Sequence, residues 1–202
     1  MSELVNFLGG VVSVLTEVPV LVFGDRNAAV VEQAKKIGLG EEFIQGDPMN
    51  ADIDAIVSPA NTVGEMSGGY DLVIRNRLGV AVETAVMKSL EKNKIYLGQA
   101  RTFDTGHPKI KKLIVVPTVV GSLVGGNNEV GTIQSLTPSV DVIEIGAYNL
   151  LMEAYRNGIK RVGSVLLGGG VGGVRKEVAL KAMLAGYGKA YDEIYELICE
   201  KN

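Results

Sequence analysis

Apolar and polar positions fall into blocks along this chain, and the blocks change period. Residues 18–23, Val-Pro-Val-Leu-Val-Phe, form an apolar, β-branched run with the length of a buried strand. Past Gly24-Asp25-Arg26-Asn27 the spacing widens. Val30, Val31, Ala34 and Ile37 recur as one face of a helix, and Gly38 stands where a left-handed C-cap belongs. Residues 43–45 and 55–58 predict two more short strands. A loop over 59–69 then leads into helical segments at 72–77 and 80–91, the second with Val82, Val86 and Leu90 on one face. Strands are expected again at 100–104, 113–116 and 162–167. Between the last two, residues 141–157 predict a helix with Ile143, Ala147, Leu150, Leu151 and Ala154 inward and Gly158 at its end. The last pattern, 175–200, is helical but interrupted by Gly186 and Gly188, each costing about 1 kcal/mol against alanine.

Strands and helices that alternate in this way predict an α/β protein, a three-layer α/β/α sandwich around a mixed, largely parallel sheet. With 202 residues, a single domain over 1–202 is expected. Residues 1–42 supply its opening strand and helix, and the first fifteen or so fit an extra edge strand. Residues 121–139, rich in Gly, Asn, Ser and Thr, are too long for an ordinary connection and predict a surface insertion or small hairpin.

Composition narrows the chemistry. The sole cysteine, Cys199, excludes an intrachain disulfide and a cysteine zinc site, and is expected in the core or an interface; the sole histidine, His107, excludes a multi-histidine metal centre. No metal or cofactor is therefore expected, and His107, just before Pro108, suits a turn. A formal charge of −3 and a pI near 5.3 argue against a nucleic-acid scaffold. No basic leader and no apolar run of ~18 residues is visible, so a cytoplasmic protein without a membrane partner is expected. Glycine is the departure: 26 of 202 residues, about twice the usual ~7%.

Ligands of open α/β sheets sit beyond the carboxyl ends of strands, and three strand ends here are unusual. Gln45-Gly46-Asp47-Pro48 places an acid after a glycine. Ser58-Pro59-Ala60-Asn61 leads to Gly68-Gly69-Tyr70-Asp71. Leu167-Gly168-Gly169-Gly170-Val171-Gly172-Gly173-Val174 runs straight into a helix. Such glycines let consecutive backbone N–H groups approach an anion, and the helix behind them adds a partial positive charge, which suits a phosphate or pyrophosphate. Gly168, Gly170 and Gly173 satisfy G-x-G-x-x-G, but no βαβ unit follows, so the dinucleotide fingerprint is rejected. Each residue also has a plain structural alternative. Asp47 suits an Asx turn or N-cap, Asn61 a left-handed turn, Asp71 a helix cap, and Tyr70 an ordinary half-buried position.

Together, and in this order, the three motifs resemble the macro domain family, an ADP-ribose-binding fold. Its members typically carry Gly-Asp-Ile/Val after an early strand, then Asn-Ala-Ala-Asn and a Gly-rich stretch ending Gly-Val-Asp. A late strand then ends in Thr/Ser-Gly-Ile/Val-Phe/Tyr-Gly before a helix. The resemblance covers residues 43–202; Gly98-Gln99-Ala100 and Thr105-Gly106-His107 are similar to a phage and bacterial branch. It implies that Asp47, with Pro48, accepts the adenine amino group, and that Ser58 and Asn61 border the distal ribose. Gly68 and Gly69 permit close approach, and Gly168, Gly169, Gly170, Val171, Gly172 and Gly173 wrap the pyrophosphate. It further implies that Asn61 and Asp71 are catalytic in hydrolytic members. The activity would then be release of ADP-ribose from an ADP-ribosylated macromolecule, or cleavage of an O-acyl or 1″-phosphate ester of ADP-ribose.

The chain departs from the family pattern in four places. Ser58 replaces the first Asn, Pro59 an Ala, Gly172 the loop aromatic that packs over the distal ribose, and Tyr70 the Val before the Asp. Tyr70 is one candidate to fill the gap at Gly172. The alternatives left open are a non-catalytic nucleotide-binding module, a phage- or virion-associated structural protein that keeps the fold, and a methyltransferase-like Rossmann domain suggested by Phe23-Gly24-Asp25.

Overall fold

The computed structural model describes residues 17–121, 138–170 and 172–200. The expected edge strand before residue 17, nearly all of the insertion at 121–139, and Val171 lie outside the described residues.

Six strands form one sheet in the order β2-β1-β6-β3-β5-β4. They are β1 (Val20–Asp25), β2 (Glu42–Gln45), β3 (Ala55–Ser58), β4 (Arg101–Asp104), β5 (Lys112–Val115) and β6 (Arg161–Ser164). Every pairing is parallel except β4 against β5, so the mixed, largely parallel sheet is as expected. Five α-helices accompany it: α1 (Ala28–Ile37), α2 (Gly69–Leu78), α3 (Val80–Lys92), α4 (Val140–Arg156) and α5 (Lys176–Cys199).

The two faces of the sheet are sorted by the side-chain period of two. Leu21 and Phe23 of β1, Ala55 and Val57 of β3 and Ile114 of β5 join one core with α1, α4 and α5. Their neighbours Val22, Ile56, Leu113 and Val115 join a second core with Ile74 of α2 and Val82, Val86 and Leu90 of α3. The result is three layers.

Local signals place most of the ends. Gly38 adopts φ 75 and closes α1 by donating its amide to Ala34 and Lys35, while Asn27 caps the other end by accepting from Ala29 N. Ser139 caps α4 through Val142 N.

Three expectations need correction. Residues 165–167 are apolar but leave the sheet: β6 ends at Ser164, level with Phe23 of β1. Leu166 and Leu167 are instead buried in the helical layer, where Leu167 N lies 3.2 Å from the sulfur of Met183. Cys199 is exposed at the end of α5, not part of the core. Finally, α5 runs unbroken through Gly186 and Gly188.

The two α5 glycines differ in cause. A Cβ on Gly186 would overlap the carbonyl oxygen of Glu144, so the missing side chain is what lets α4 and α5 pack closely. A Cβ on Gly188 would meet nothing within 4 Å. Gly186→Ala is therefore expected to cost about 1–3 kcal/mol or more by forcing the helices apart. Gly188→Ala is expected to gain up to about 1 kcal/mol from helix propensity. Urea denaturation of the two variants checks the pair, and equal effects would contradict this packing.

Candidate functional site

The parallel strands share one carboxyl-end edge, and a cavity of about 320 Å³ opens along it. Following the strand order, its wall takes Gly46 and Asp47 after β2, then Asp25 and Arg26 at the end of β1. Val165, Leu166 and the glycine loop follow β6, Pro59, Ala60 and Asn61 follow β3, and Thr118 and Val119 follow β5. The volume falls within the usual range of small-molecule pockets, roughly 300–1,000 Å³.

Asp47 is reached through Gly46, whose φ of 137 turns the chain out of β2. It caps the 3₁₀ turn Pro48–Asn50, its Oδ1 accepting from Met49 N at 2.9 Å. The same oxygen accepts the Tyr70 hydroxyl at 2.6 Å, and Arg77 Nη1 lies 3.7 Å from Oδ2. Burial and the facing carboxylate push the Tyr70 phenol far above its ordinary range, so it stays a donor. Its hydroxyl is thus tied to Asp47 and not free to fill a gap near Gly172. At Gly172 itself no side chain fits in this arrangement, since a Cβ there would lie 2.8 Å from Pro138 Cδ and from Gly168 O.

At the end of β3, Asn61 is buried and organises the loop that follows it. Its Oδ1 accepts from Val63, Gly64 and Glu65 amides at 3.1, 2.9 and 3.2 Å, and its Nδ2 donates to Glu65 O at 2.9 Å. Asn61 thus takes an Asx-type role, a structural alternative other than the left-handed turn the sequence suggested for it. Asp71 sits in the first turn of α2 but does not cap it. The N-cap is Gly68, with no side-chain hydrogen bond. Instead Asp71 Oδ1 accepts from Ser58 Oγ at 2.7 Å. Burial is the chief cause that pushes the Asp71 carboxyl up to about 7. The Ser58 hydrogen bond opposes the shift, and the nearby Glu65 and Glu83 charges add to it.

The glycine loop folds on itself through Gly173 N to Gly170 O at 3.0 Å and Val174 N to Gly168 O at 3.1 Å. Gly168 takes φ 70, which a side chain adopts only under strain, and Gly170 faces open space. Gly168, Gly169, Gly170 and Gly172 line the cavity, as do Gly68 and Gly69. Three predicted contacts do not: Pro48 is buried beneath the turn, Ser58 is fully buried behind Asp71, and Gly173 faces outward.

Sequence reading missed Glu65, Lys176 and Arg26, all on the cavity wall. Glu65 sits in a polar, glycine-bearing loop that reads as solvated, yet it is 4% exposed, its Oε1 accepting from Ser67 N at 2.6 Å. Lys176 did carry a signal. Arg175 and Lys176 open α5 with no side-chain cap, so two cations sit at the positive end of a 24-residue helix. Each placement is adverse by ~0.3–1 kcal/mol unless an anion offsets it. His107 has the turn role expected of it, its Nδ1 accepting from Lys109 and Ile110 amides at 3.3 and 3.1 Å.

Among the described residues, no helix is long and apolar enough to cross a membrane, and no cluster of His, Cys, Asp and Glu is placed to hold a metal ion.

Comparison with known proteins adds a family. The model of the Macro domain matches residues 57–183. An uncharacterised protein of Aquifex aeolicus is 32% identical over 143 residues, 71% of this chain and 78% of that one. The macrodomain of Mycobacterium tuberculosis DarG superposes with a TM-score of 0.58 at 24% identity, over 73% of this chain and 89% of that one. The Trypanosoma brucei macrodomain in complex with ADP-ribose gives 0.56 at 21% identity, over 73% and 56%. At these identities the structural likeness speaks for the fold.

Ionisation of Asp71 has a consequence for stability. Its carboxyl titrates near 7 in the folded state against a usual 3.8, so between those values only the folded protein holds the proton. The stability this group contributes is full below about 4 and is lost as pH rises through 7. Asp71→Asn is expected to remove that slope and to be more stable than the parent at pH 8, by on the order of 2–4 kcal/mol. Urea midpoints at pH 5 and pH 8 check this; an unchanged slope in the variant would contradict it.

Proposed function

The chain belongs to the macro domain family, and from that membership and the cavity's layout we propose that it binds ADP-ribose or an ADP-ribose conjugate and hydrolyses the linkage at the distal ribose. One observation carries this reading. Along a single edge the cavity presents Asp47, then Arg26 and the glycine loop with Lys176, then Asn61 and Asp71. A base, a pyrophosphate and a ribose follow one another in the same order in ADP-ribose.

Each segment has matching chemistry. Asp47 offers carboxylate oxygen to the adenine amino group, with Oδ1 already bonded to Met49 and Tyr70, so Oδ2 is the better placed acceptor. The pyrophosphate fits the loop amides and the uncapped N-terminus of α5, and its charge offsets Arg175 and Lys176 there. Asp71 at the far end is the base. It takes a proton from water as the water oxygen bonds to C1″, while the bond from C1″ to the leaving atom breaks; that atom keeps the bonding pair and takes its proton from solvent, and Asp71 later returns its own proton to solvent. The carboxylate can accept the proton only when ionised, and Ser58 holds its other oxygen. Asn61 acts through the loop it holds, with one amide hydrogen left for the ribose.

A second reading is binding without turnover. The engagement of Asn61 by four loop hydrogen bonds favours it, because little of that side chain remains to hold a reacting ribose.

Isothermal titration tests the binding. ADP-ribose is expected to bind with micromolar Kd, about −8 kcal/mol. Lys176→Ala should weaken it roughly tenfold by removing a charge-assisted contact to phosphate. No heat at millimolar ADP-ribose would sink the proposal.

Turnover separates the two readings. Release of ADP-ribose from an ADP-ribosylated protein or oligonucleotide should rise with pH through about 7 and level off above, as Asp71 ionises. Asp71→Asn should lower it ~10²–10⁴-fold while leaving ADP-ribose binding measurable. Tight binding with no turnover on any such conjugate would leave the non-catalytic reading standing.

A further inference from the structure

Glu65 gives the distal end of the cavity a charge that neither the proposed binding nor the proposed hydrolysis uses. It is 4% exposed, and its Oε1 accepts from Ser67 N; among the described residues no donor reaches Oε2. The side chain of Asp71, 7% exposed, accepts among the described residues from the Ser58 hydroxyl alone. The third acid of this corner, Glu83, is compensated: Arg75 Nε lies 2.9 Å from it and Met66 N donates to it at 2.8 Å. Among the described residues no Lys or Arg pairs with Glu65 or Asp71. The cavity's own cations are elsewhere, Arg26 at the end of β1 and Lys176 beside the glycine loop after β6.

The cavity is therefore polarised along its length. Its cations, Arg26 and Lys176, lie with Asp25 where a pyrophosphate would lie, and only acids, Glu65 and Asp71, lie where the group attached to the distal ribose would lie. Resting on the ADP-ribose reading above, we infer that the site takes conjugates whose distal group carries hydrogen-bond donors and no negative charge, with Glu65 as the residue that rejects an anionic one. A carboxylate lone pair facing the cavity is satisfied by an N–H or O–H donor, best of all a charged one. A phosphate in the same place puts a dianion against Glu65 and Asp71 with no cation to share, and like charges brought together at an interface are strongly disfavoured. Of the three linkages that the family resemblance leaves open, the 1″-phosphate ester is the one excluded. Linkages to an amide, guanidinium or hydroxyl group are the ones admitted.

Competitive titration of the full chain with ADP-ribose and with ADP-ribose 1″-phosphate tests this. ADP-ribose is expected to bind at least ~10-fold more tightly. Glu65→Gln keeps an acceptor for Ser67 N, so the loop retains its bond while the charge is gone. That variant is expected to narrow the gap to about threefold or less and still bind ADP-ribose. Equal affinity of the parent chain for the two compounds overturns the inference with no variant needed, and so does a gap unchanged in Glu65→Gln. Failure to bind either compound overturns the ADP-ribose reading itself, and the inference falls with it. The two failures are thereby told apart.

Discussion

A single hydrogen bond, from Ser58 Oγ to Asp71 Oδ1 at 2.7 Å, ties the sheet to the helix that roofs the cavity at its carboxyl-end edge. Ser58 ends β3 in full burial, and Asp71 lies in the first turn of α2. The residue before it, Tyr70, reaches the opposite way and donates to Asp47 beyond β2. Consecutive residues of one helical turn are thus fastened to two strand ends separated by β1 and β6. The turn is held across the edge like a strap, and the cavity is the space it covers. The same bond sets the chemistry, because the Ser58 hydroxyl favours the ionised carboxylate against a burial that opposes it.

The site is maintained against the interests of stability. A carboxylate buried with one neutral donor is costly, and so are two cations at the positive end of α5. Asp71 and Lys176 both line the one cavity, at different strand ends, and have opposite sign. The apolar packing lies apart from them, in two cores on the two faces of the sheet. Adverse charges concentrated in one cleft, with apolar packing elsewhere, are the signature of a site that a ligand completes.

Much of the fold is legible in the sequence because the sheet is buried on both faces and its strands alternate cleanly between two cores. Val22 and Phe23 are neighbours in sequence and belong to different layers, as period-two patterning requires. Residues 165–167 show where such reading stops. Val-Leu-Leu continues the apolar run of β6, but nothing along the chain tells that its burial is provided by helices and not by strand neighbours. Gly186 is similar: read locally it interrupts a helix, and only the path of α4 beside it explains its presence. Within the site, the glycine loop, Asp47, Asn61 and Asp71 were findable because backbone geometry and strand ends constrain them. Glu65 was not, since a buried acid in a loop has the same local sequence as a solvated one. The pairing of Tyr70 with Asp47 spans 23 residues and depends on the tertiary path of α2.

The most direct test of the account is a crystal structure of the protein with ADP-ribose. The pyrophosphate is expected against Gly168, Gly169, Gly170 and the start of α5, adenine beside Asp47, and the distal ribose against Asn61 and Asp71, with the Ser58–Asp71 bond intact. A ligand bound in the reverse sense, or one lying off this edge of the sheet, would contradict it.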